Sequence, residues 1–182
     1  SLIMDEIYGR LRPPLHMRKE TRGYMNQDIR TLWTQRIVRR MLKRCKNPSV
    51  LFAAGAEGAA AGLRRMLPRA EFVLLRDKEG EVPEDFDKAL SMEALSSQGG
   101  FGVVYIGEKL FALPEEEAKQ TYEKLLAAAE FVVLRVPEKA DLNHEQILSR
   151  FDGLCIWFID QGAGVYAGVN PIRHSAEEVI AA

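Results

Sequence analysis

The sequence predicts an α/β fold, in which a mostly parallel sheet is sandwiched by helices, with a helical arm before it and an antiparallel hairpin at its end. Short apolar runs alternate with amphipathic stretches along most of the chain, as expected for a parallel sheet covered on both faces. A glycine-rich turn follows the first apolar run. The last two apolar runs are joined by a glycine-rich link that is too short for a parallel crossover.

The composition is that of a globular protein with a sizeable core. The chain has 182 residues, of which 47% are hydrophobic, and this content argues against disorder. No apolar run approaches the ~18 residues that a membrane span needs, and the N-terminus lacks the apolar stretch of a signal peptide. The two cysteines, Cys45 and Cys155, and the three histidines show no metal-ligand spacing. We therefore expect a cytoplasmic protein without a metal site.

Charge divides the chain into two parts. Residues 4–48 carry twelve Lys or Arg against four Asp or Glu, whereas the rest carries thirteen against twenty-two. We predict a basic helical arm over residues 1–48 and an α/β domain over residues 49–182. A helix beginning at Asn26 would place its basic side chains opposite an apolar face formed by Ile29, Leu32, Trp33, Ile37, Met41 and Leu42.

The basic face of this helix has two interpretations. It could bind nucleic acid or another anionic partner. Alternatively, it is a solvated helix face, or it docks on the acidic domain or on a second copy of the chain in a homodimer.

The domain begins with a strand, a tight turn, a helix and a second strand. The apolar run Val50–Ala54 fits a buried strand, and Gly55 and Gly58 open the turn. Residues Ala59–Leu67 have helix propensity, and Phe72–Leu75 fits the next buried strand.

This turn suggests a nucleotide-containing ligand. Glycines let the backbone approach a ligand closely, and an acid about 20 residues later can bind ribose hydroxyls. Asp77, just past the second strand, meets that condition for Gly55 and Gly58. The spacing Gly-x-x-Gly-x-x-x-Gly differs from the dinucleotide fingerprint Gly-x-Gly-x-x-Gly, so the glycines could instead serve close helix–strand packing.

The later elements continue the alternation. We predict helices over Glu84–Ser97, from Pro114 to Ala129, and from Asp141 or Asn143 to Phe151, because each carries an apolar stripe or a start signal. The predicted strands are Phe101–Ile106, Phe131–Val136, Leu154–Ile159 and Val165–Val169, and the last two form the hairpin.

Ligands of such sheets bind beyond the carboxyl ends of the parallel strands. The residues that the predicted elements bring to this edge are Gly55, Asp77, Gly107, Glu108, Pro137 and Glu138.

The order of elements resembles that of class I S-adenosylmethionine-dependent methyltransferases, which have a Rossmann-like fold. The resemblance covers residues 30–171 and includes the helical N-terminal segment, the turn, the acid after strand two and the hairpin. Against the family pattern Val-Leu-Asp-x-Gly-x-Gly-x-Gly, Phe52 stands where the acid is expected and only Gly58 matches a glycine. Only 24 residues separate Asp77 from Gly102, where family members place a helix, a strand and an adenine-contacting acid.

The resemblance implies S-adenosylmethionine as cofactor and in-line methyl transfer to an acceptor that the sequence does not name. Gly55 and Gly58 would then hold the amino-acid end of the cofactor and Asp77 its ribose. Glu108, after the third predicted strand, would face the substrate.

Two other classes of function remain open from the sequence. The turn and Asp77 would serve NAD or a sugar nucleotide equally well. Tyr105 and Lys109 have the Tyr-x-x-x-Lys spacing of short-chain dehydrogenases, but Tyr105 lies in a predicted strand and not on a helix. A third possibility is a non-catalytic interaction or assembly module that kept a nucleotide-binding fold.

Overall fold

A seven-stranded mixed sheet forms the centre of the protein. The computed structural model describes residues 31–77, 80–160 and 163–171. The strands are β1 (Ser49–Ala53), β2 (Glu71–Leu75), β3 (Lys88–Leu90), β4 (Phe101–Ile106), β5 (Ala129–Val136), β6 (Leu154–Asp160) and β7 (Ala163–Val169). Their order across the sheet is β3-β2-β1-β4-β5-β7-β6.

Helices connect the strands. They are α1 (residues 31–42), α2 (Ala60–Met66), α3 (Met92–Leu95), α4 (Glu115–Ala127) and α5 (His144–Arg150), with 3-10 turns at Ala56–Ala59, Glu108–Ala112 and Glu138–Ala140. No helix in the described ranges is both long and apolar enough to cross a membrane.

Strands β3, β2, β1, β4 and β5 pair in parallel, and β7 pairs antiparallel with both β5 and β6. The predicted α/β fold and its terminal hairpin are therefore confirmed. The chain leaves β1 towards β2 on one side and returns at β4 on the other side. Such a switch point opens a crevice at the carboxyl ends of the two central strands.

Successive side chains of β1 point to opposite faces of the sheet and enter two apolar layers, so the strand is buried on both faces. Val50 and Phe52 pack towards α1 and α2, whereas Leu51 and Ala53 pack towards α4 and α5. Helix α1 belongs to the first layer, where Ile37, Val38 and Met41 are fully buried. Leu32, which the periodicity placed on the same apolar face, is instead 37% exposed. Asn26 and Ile29 lie outside the described residues.

The predicted helix Glu84–Ser97 is wrong. Lys88–Leu90 form the edge strand β3, in parallel register with β2, and only Met92–Leu95 are helical. The carboxylate of Asp87 accepts the backbone N–H of Phe72 at 2.8 Å. This bond fixes the segment to β2, so sheet pairing overrides the helical spacing of its apolar residues.

The other predicted helices and strands of residues 49–169 agree closely with the structure. Asn143, and not Asp141, caps α5 through a capping box with Gln146. Pro114 is the N-cap residue of α4, and the three glutamates that follow lie in the first turn, where carboxylates suit the helix dipole.

The amino ends of the strands are held together by paired polar groups. The Arg64 guanidinium donates to the Ala70 carbonyl at 2.8 Å, to the Asp85 carbonyl at 3.1 Å and to the Asp87 carboxylate at 2.9 Å. It also lies 4.1 Å from the centre of the Phe72 ring. We call this end of the sheet, where the parallel strands begin, the amino edge.

Two buried side chains complete the amino edge. The Ser49 hydroxyl accepts the Gly102 N–H at 3.1 Å, which joins the starts of β1 and β4. The Asn170 amide, 1% exposed, donates to the carbonyls of Leu126 and Ala129 at 2.7 and 3.0 Å. Asn170 thereby fixes the end of β7 to the junction between α4 and β5.

Candidate functional site

The loops that follow β1 and β4 touch at the opposite end of the sheet, which we call the carboxyl edge. The Gly107 N–H donates to the Ala53 carbonyl at 2.9 Å. A Cβ atom on Gly107 would lie 2.5 Å from the Ala54 carbonyl oxygen and 2.6 Å from the Ala56 nitrogen. Only glycine fits this contact, since such distances are far below van der Waals separation.

The turn after β1 keeps an unusual backbone. Ala54 has φ of 53° and Gly55 has φ of 85°, both in the left-handed region. Glycine is favoured there because it has no Cβ atom. In the methyltransferase pattern the position of Ala54 is a glycine, so the left-handed backbone is present although the residue differs.

A cavity of about 360 Å³ opens between these two loops, and we call it the main cavity because it lies at the switch point of the sheet; a larger one of about 540 Å³ lies away from it, between α3 and the end of α4. The volume of the main cavity is within the range of ligand sites, roughly 300–1,000 Å³. Gly55, Gly58 and Glu108, three of the four predicted site residues, line it together. The other lining residues are Ala56, Ala59, Tyr105, Gly107, Lys109 and Arg135.

A smaller cavity of about 160 Å³ adjoins the main cavity on the side of α1, and we call it the side cavity. The two share Gly58, Ala59, Tyr105 and Arg135 as lining residues. The side cavity is further lined by Thr31, Thr34, Gln35, Gly62 and Leu63.

Asp77, the fourth predicted site residue, lies outside both cavities. It is exposed and follows β2 by two residues. The neighbouring Arg76 donates to the carbonyls of Gly80 and Glu81, both at 2.8 Å. Pro137 and Glu138, which we expected at the same edge, begin a 3-10 turn after β5 and do not line the main cavity.

The main cavity is bordered by one carboxylate and two cations. The Lys109 side chain lies along the turn, because a Cβ atom on Gly55 would be 2.9 Å from Lys109 Cγ. Among the described residues, neither Lys109 nor Arg135 has a carboxylate within 4.0 Å. With Glu108 exposed at the same opening, the charged side chains of the cavity sum to one positive charge.

Tyr105 forms the floor that the two cavities share. Burial raises the pKa of its hydroxyl, while the neighbouring Arg135 guanidinium and the Thr34 hydroxyl partly oppose that rise. The phenol therefore stays neutral at neutral pH and acts as a hydrogen-bonding group, not as a base.

Phe52 occupies the position of the acid in the methyltransferase pattern, and its side chain is part of the core. Its ring is fully buried. The ring centres of Phe72, Phe86 and Tyr105 lie 5.0, 5.3 and 5.9 Å from it. We call these four side chains the aromatic cluster.

Sequence reasoning missed three side chains of the site. Tyr105 and Lys109 were considered only as a dehydrogenase pair, and Tyr105 indeed lies in a strand. Arg135 was not considered, although it is the single charge within the apolar run Phe131–Val136. In the described chain, no group of three His, Cys, Asp or Glu residues is placed to hold a metal ion.

Solved methyltransferase structures share this fold. PigF, solved with S-adenosylhomocysteine, superposes with a TM-score of 0.51 and 10% identity over 76% of this chain and 58% of PigF. WbdD, described as a bifunctional kinase-methyltransferase, superposes with a TM-score of 0.56 and 13% identity over 79% of this chain and 40% of WbdD. The present chain thus spans less than two thirds of both proteins.

A third structure matches nearly end to end. The magnesium protoporphyrin IX methyltransferase of Synechocystis PCC 6803, solved with S-adenosylmethionine, gives a TM-score of 0.52 and 15% identity over 92% of this chain and 89% of that enzyme. No protein-family model and no curated protein sequence matches the chain. The chain has the fold of the class I S-adenosylmethionine-dependent methyltransferases.

Proposed function

We propose that this protein is an S-adenosylmethionine-dependent methyltransferase that binds its cofactor in the main cavity. One observation carries the proposal. Gly55 and Gly58, predicted from one stretch of sequence, and Glu108, predicted from another, line the same cavity at the switch point of the sheet. Open α/β sheets bind their ligands at this position.

The residues of the main cavity fit the amino-acid end of the cofactor. A Cβ atom on Gly58 would have no heavy atom within 4 Å, so the backbone there faces open space. The Lys109 side chain lies along Gly55 and brings an ammonium group to the turn, where it would pair with a carboxylate. Asp77 remains the proposed ribose ligand, on the adjoining side of the same edge.

When bound, the cofactor supplies an electrophilic methyl group to a nucleophile placed in line with it. The chain contributes position more than covalent chemistry. The contact between Gly107 and the turn holds the two loops at a fixed separation. Glu108, at the mouth of the cavity, would accept the acceptor's proton or a hydrogen bond from it.

Calorimetric titration with S-adenosylhomocysteine, with NAD as the comparison, tests the cofactor assignment. Wild type should bind S-adenosylhomocysteine, and Gly58→Leu should weaken that binding by more than about tenfold because its side chain fills the cavity. Ala61→Leu is the matched control, since Ala61 is exposed on the next turn. Absence of binding to folded wild-type protein would refute the proposal, and binding of NAD alone would favour an oxidoreductase.

The role of Asp77 needs its own variant. If its carboxylate holds the ribose, Asp77→Ala should weaken S-adenosylhomocysteine binding about tenfold, as expected for loss of a charge-assisted hydrogen bond. Unchanged affinity would remove Asp77 from the site and leave the proposal for the main cavity intact.

A second candidate is a non-catalytic module that binds an anionic partner, nucleic acid included, through its basic arm. The exposed side chains of Arg36 and Arg39 on α1, and of Lys43 directly after it, favour it. A fluorescent single-stranded RNA probe should bind at low salt and lose binding in Arg39→Glu/Lys43→Glu. Equal binding by both proteins would argue against this surface.

Three other expectations from the sequence remain predictions. They are the division of the chain at residue 48, the cytoplasmic location and a possible homodimer. Light scattering at several protein concentrations tests the last of these directly.

A further inference from the structure

We infer that the side cavity binds an anionic group of the methyl acceptor, a carboxylate or a phosphate, through the Arg135 guanidinium. The inference rests on the proposed methyltransferase function and specifies the class of its substrate.

Charge is the first argument. Of the described residues that line the side cavity, Arg135 is the only charged one. It is half-buried, and no carboxylate of the described chain lies within 4.0 Å of it. A guanidinium that is partly removed from water without a counter-ion is unfavourable, and a bound anion would relieve that penalty.

The chemistry of the lining is the second argument. The guanidinium presents a planar fork of N–H donors that matches the two oxygens of a carboxylate or phosphate. Thr31 and Gln35, on α1, also line the side cavity and add side chains of types that can donate to an oxyanion. The Tyr105 hydroxyl is neutral and lies beside Arg135. No acid is among the described residues that line the side cavity, and the Glu108 carboxylate, which also acts on Tyr105, lines the main cavity.

Geometry is the third argument. The side cavity joins the main cavity along Gly58 and Ala59. An acceptor whose anionic end lies beside Arg135 therefore extends towards Glu108 in the main cavity, where the methyl group is transferred. An acceptor without an anionic group would leave the Arg135 guanidinium hydrogen-bonded to Tyr105 but without a counter-ion among the described residues.

The cofactor itself carries a carboxylate, which is the other possible source of the anion. Lys109 already lies along Gly55, where the proposed function places the amino-acid end of the cofactor. Two separate cations thus serve two separate anions, and Arg135 is left for the acceptor.

Inorganic phosphate and acetate, titrated calorimetrically into protein saturated with S-adenosylhomocysteine, are the probes of this site. At least one should bind, and Arg135→Gln should weaken its binding by about tenfold or more. Arg65→Gln is the matched control, because it removes the same charge from an exposed position on α2 and should leave anion binding unchanged. Melting curves confirm that both variants are folded.

A comparison of S-adenosylhomocysteine with 5′-methylthioadenosine, which lacks the amino-acid end, separates the two sources. For an acceptor site, Arg135→Gln binds both nucleosides as wild type does. If the variant loses S-adenosylhomocysteine but keeps 5′-methylthioadenosine, or if phosphate competes with S-adenosylhomocysteine, Arg135 binds the cofactor and the inference is overturned.

Failure of the inference differs visibly from failure of the proposed function. If wild type binds S-adenosylhomocysteine but neither phosphate nor acetate, the inference alone fails. If wild type binds neither nucleoside, the methyltransferase assignment fails, and the acceptor site fails with it.

Discussion

The amino and carboxyl edges of the sheet are formed by the same strands, but the polar groups are paired within the protein at the amino edge and, among the described residues, lack carboxylate partners at the carboxyl edge. At the amino edge, Arg64 makes three hydrogen bonds to the protein, and Ser49 and Asn170 are buried with partners. At the carboxyl edge, Lys109 and Arg135 border a cavity without a carboxylate partner in the described chain.

This difference separates polar groups that are paired within the fold from cations that are available to a ligand. A buried polar group that is fully paired stabilises the fold and has nothing left to offer a ligand. A cation that borders a cavity and has no counter-ion can still pair with a ligand. How much it stabilises the protein therefore depends on what binds. The two edges should therefore respond differently to mutation, and three variants test this expectation.

Gly107→Ala should have the largest effect. The new Cβ atom would lie 2.5 Å from a backbone oxygen of the turn, so the two loops must separate. We expect a loss of about 3 kcal/mol in the free energy of unfolding, measured by urea denaturation, together with weaker S-adenosylhomocysteine binding. Gly58→Ala, where the added atom meets open space, is the control. Wild-type stability of Gly107→Ala would contradict the close contact between the loops.

Asn170→Ala should have an intermediate effect, confined to stability. Its loss leaves the Leu126 and Ala129 carbonyls without the amide donor that now serves both, at about 2 kcal/mol. The affinity for S-adenosylhomocysteine should not change, because Asn170 lies at the amino edge. A large loss of affinity at unchanged stability would break the distinction between the two edges.

Asp87→Asn should have the smallest effect, and one that depends on pH. Hydrogen bonds from the Phe72 N–H and from Arg64 lower the pKa of Asp87 below its ordinary value of 3.8. Its stabilisation is therefore complete above the unfolded-state pKa and is lost as pH falls through the lower folded-state pKa.

The side chain of Asp87 is 51% exposed, so we expect no more than about 1 kcal/mol at pH 7. Melting temperatures of wild type and Asp87→Asn should differ at pH 7 and approach each other near pH 3. A constant difference over that range would show that the carboxylate charge is not responsible.

Most of the fold could be predicted because its signals are local. Buried parallel strands such as β4 read as continuous apolar runs, and α4 begins with a proline and three glutamates. Strand β3 could not be predicted this way. Its pairing with β2 is accompanied by the hydrogen bond that the Phe72 N–H, 15 residues earlier in sequence, donates to the Asp87 carboxylate. Nothing in the local spacing of its apolar residues reveals these contacts.

The residues of the candidate site show the same difference between local and non-local signals. Gly55, Gly58 and Glu108 could be predicted from the sequence because they lie in the loops that follow predicted strands, where ligand-binding residues of parallel sheets lie. Arg135 lies inside a strand, and its place at the side cavity appears only when α1, β4 and β5 are brought together. Its one sequence signal was a lone charge within an apolar run.

The aromatic cluster also limits which residue position 52 can accept. An aspartate placed at Phe52 by a single substitution would enter a fully buried space between the rings of Phe72, Phe86 and Tyr105. A buried carboxylate without partners is strongly disfavoured. A chain with this cluster therefore cannot accept an acid at position 52 by that single substitution, and the neighbouring rings would have to change first.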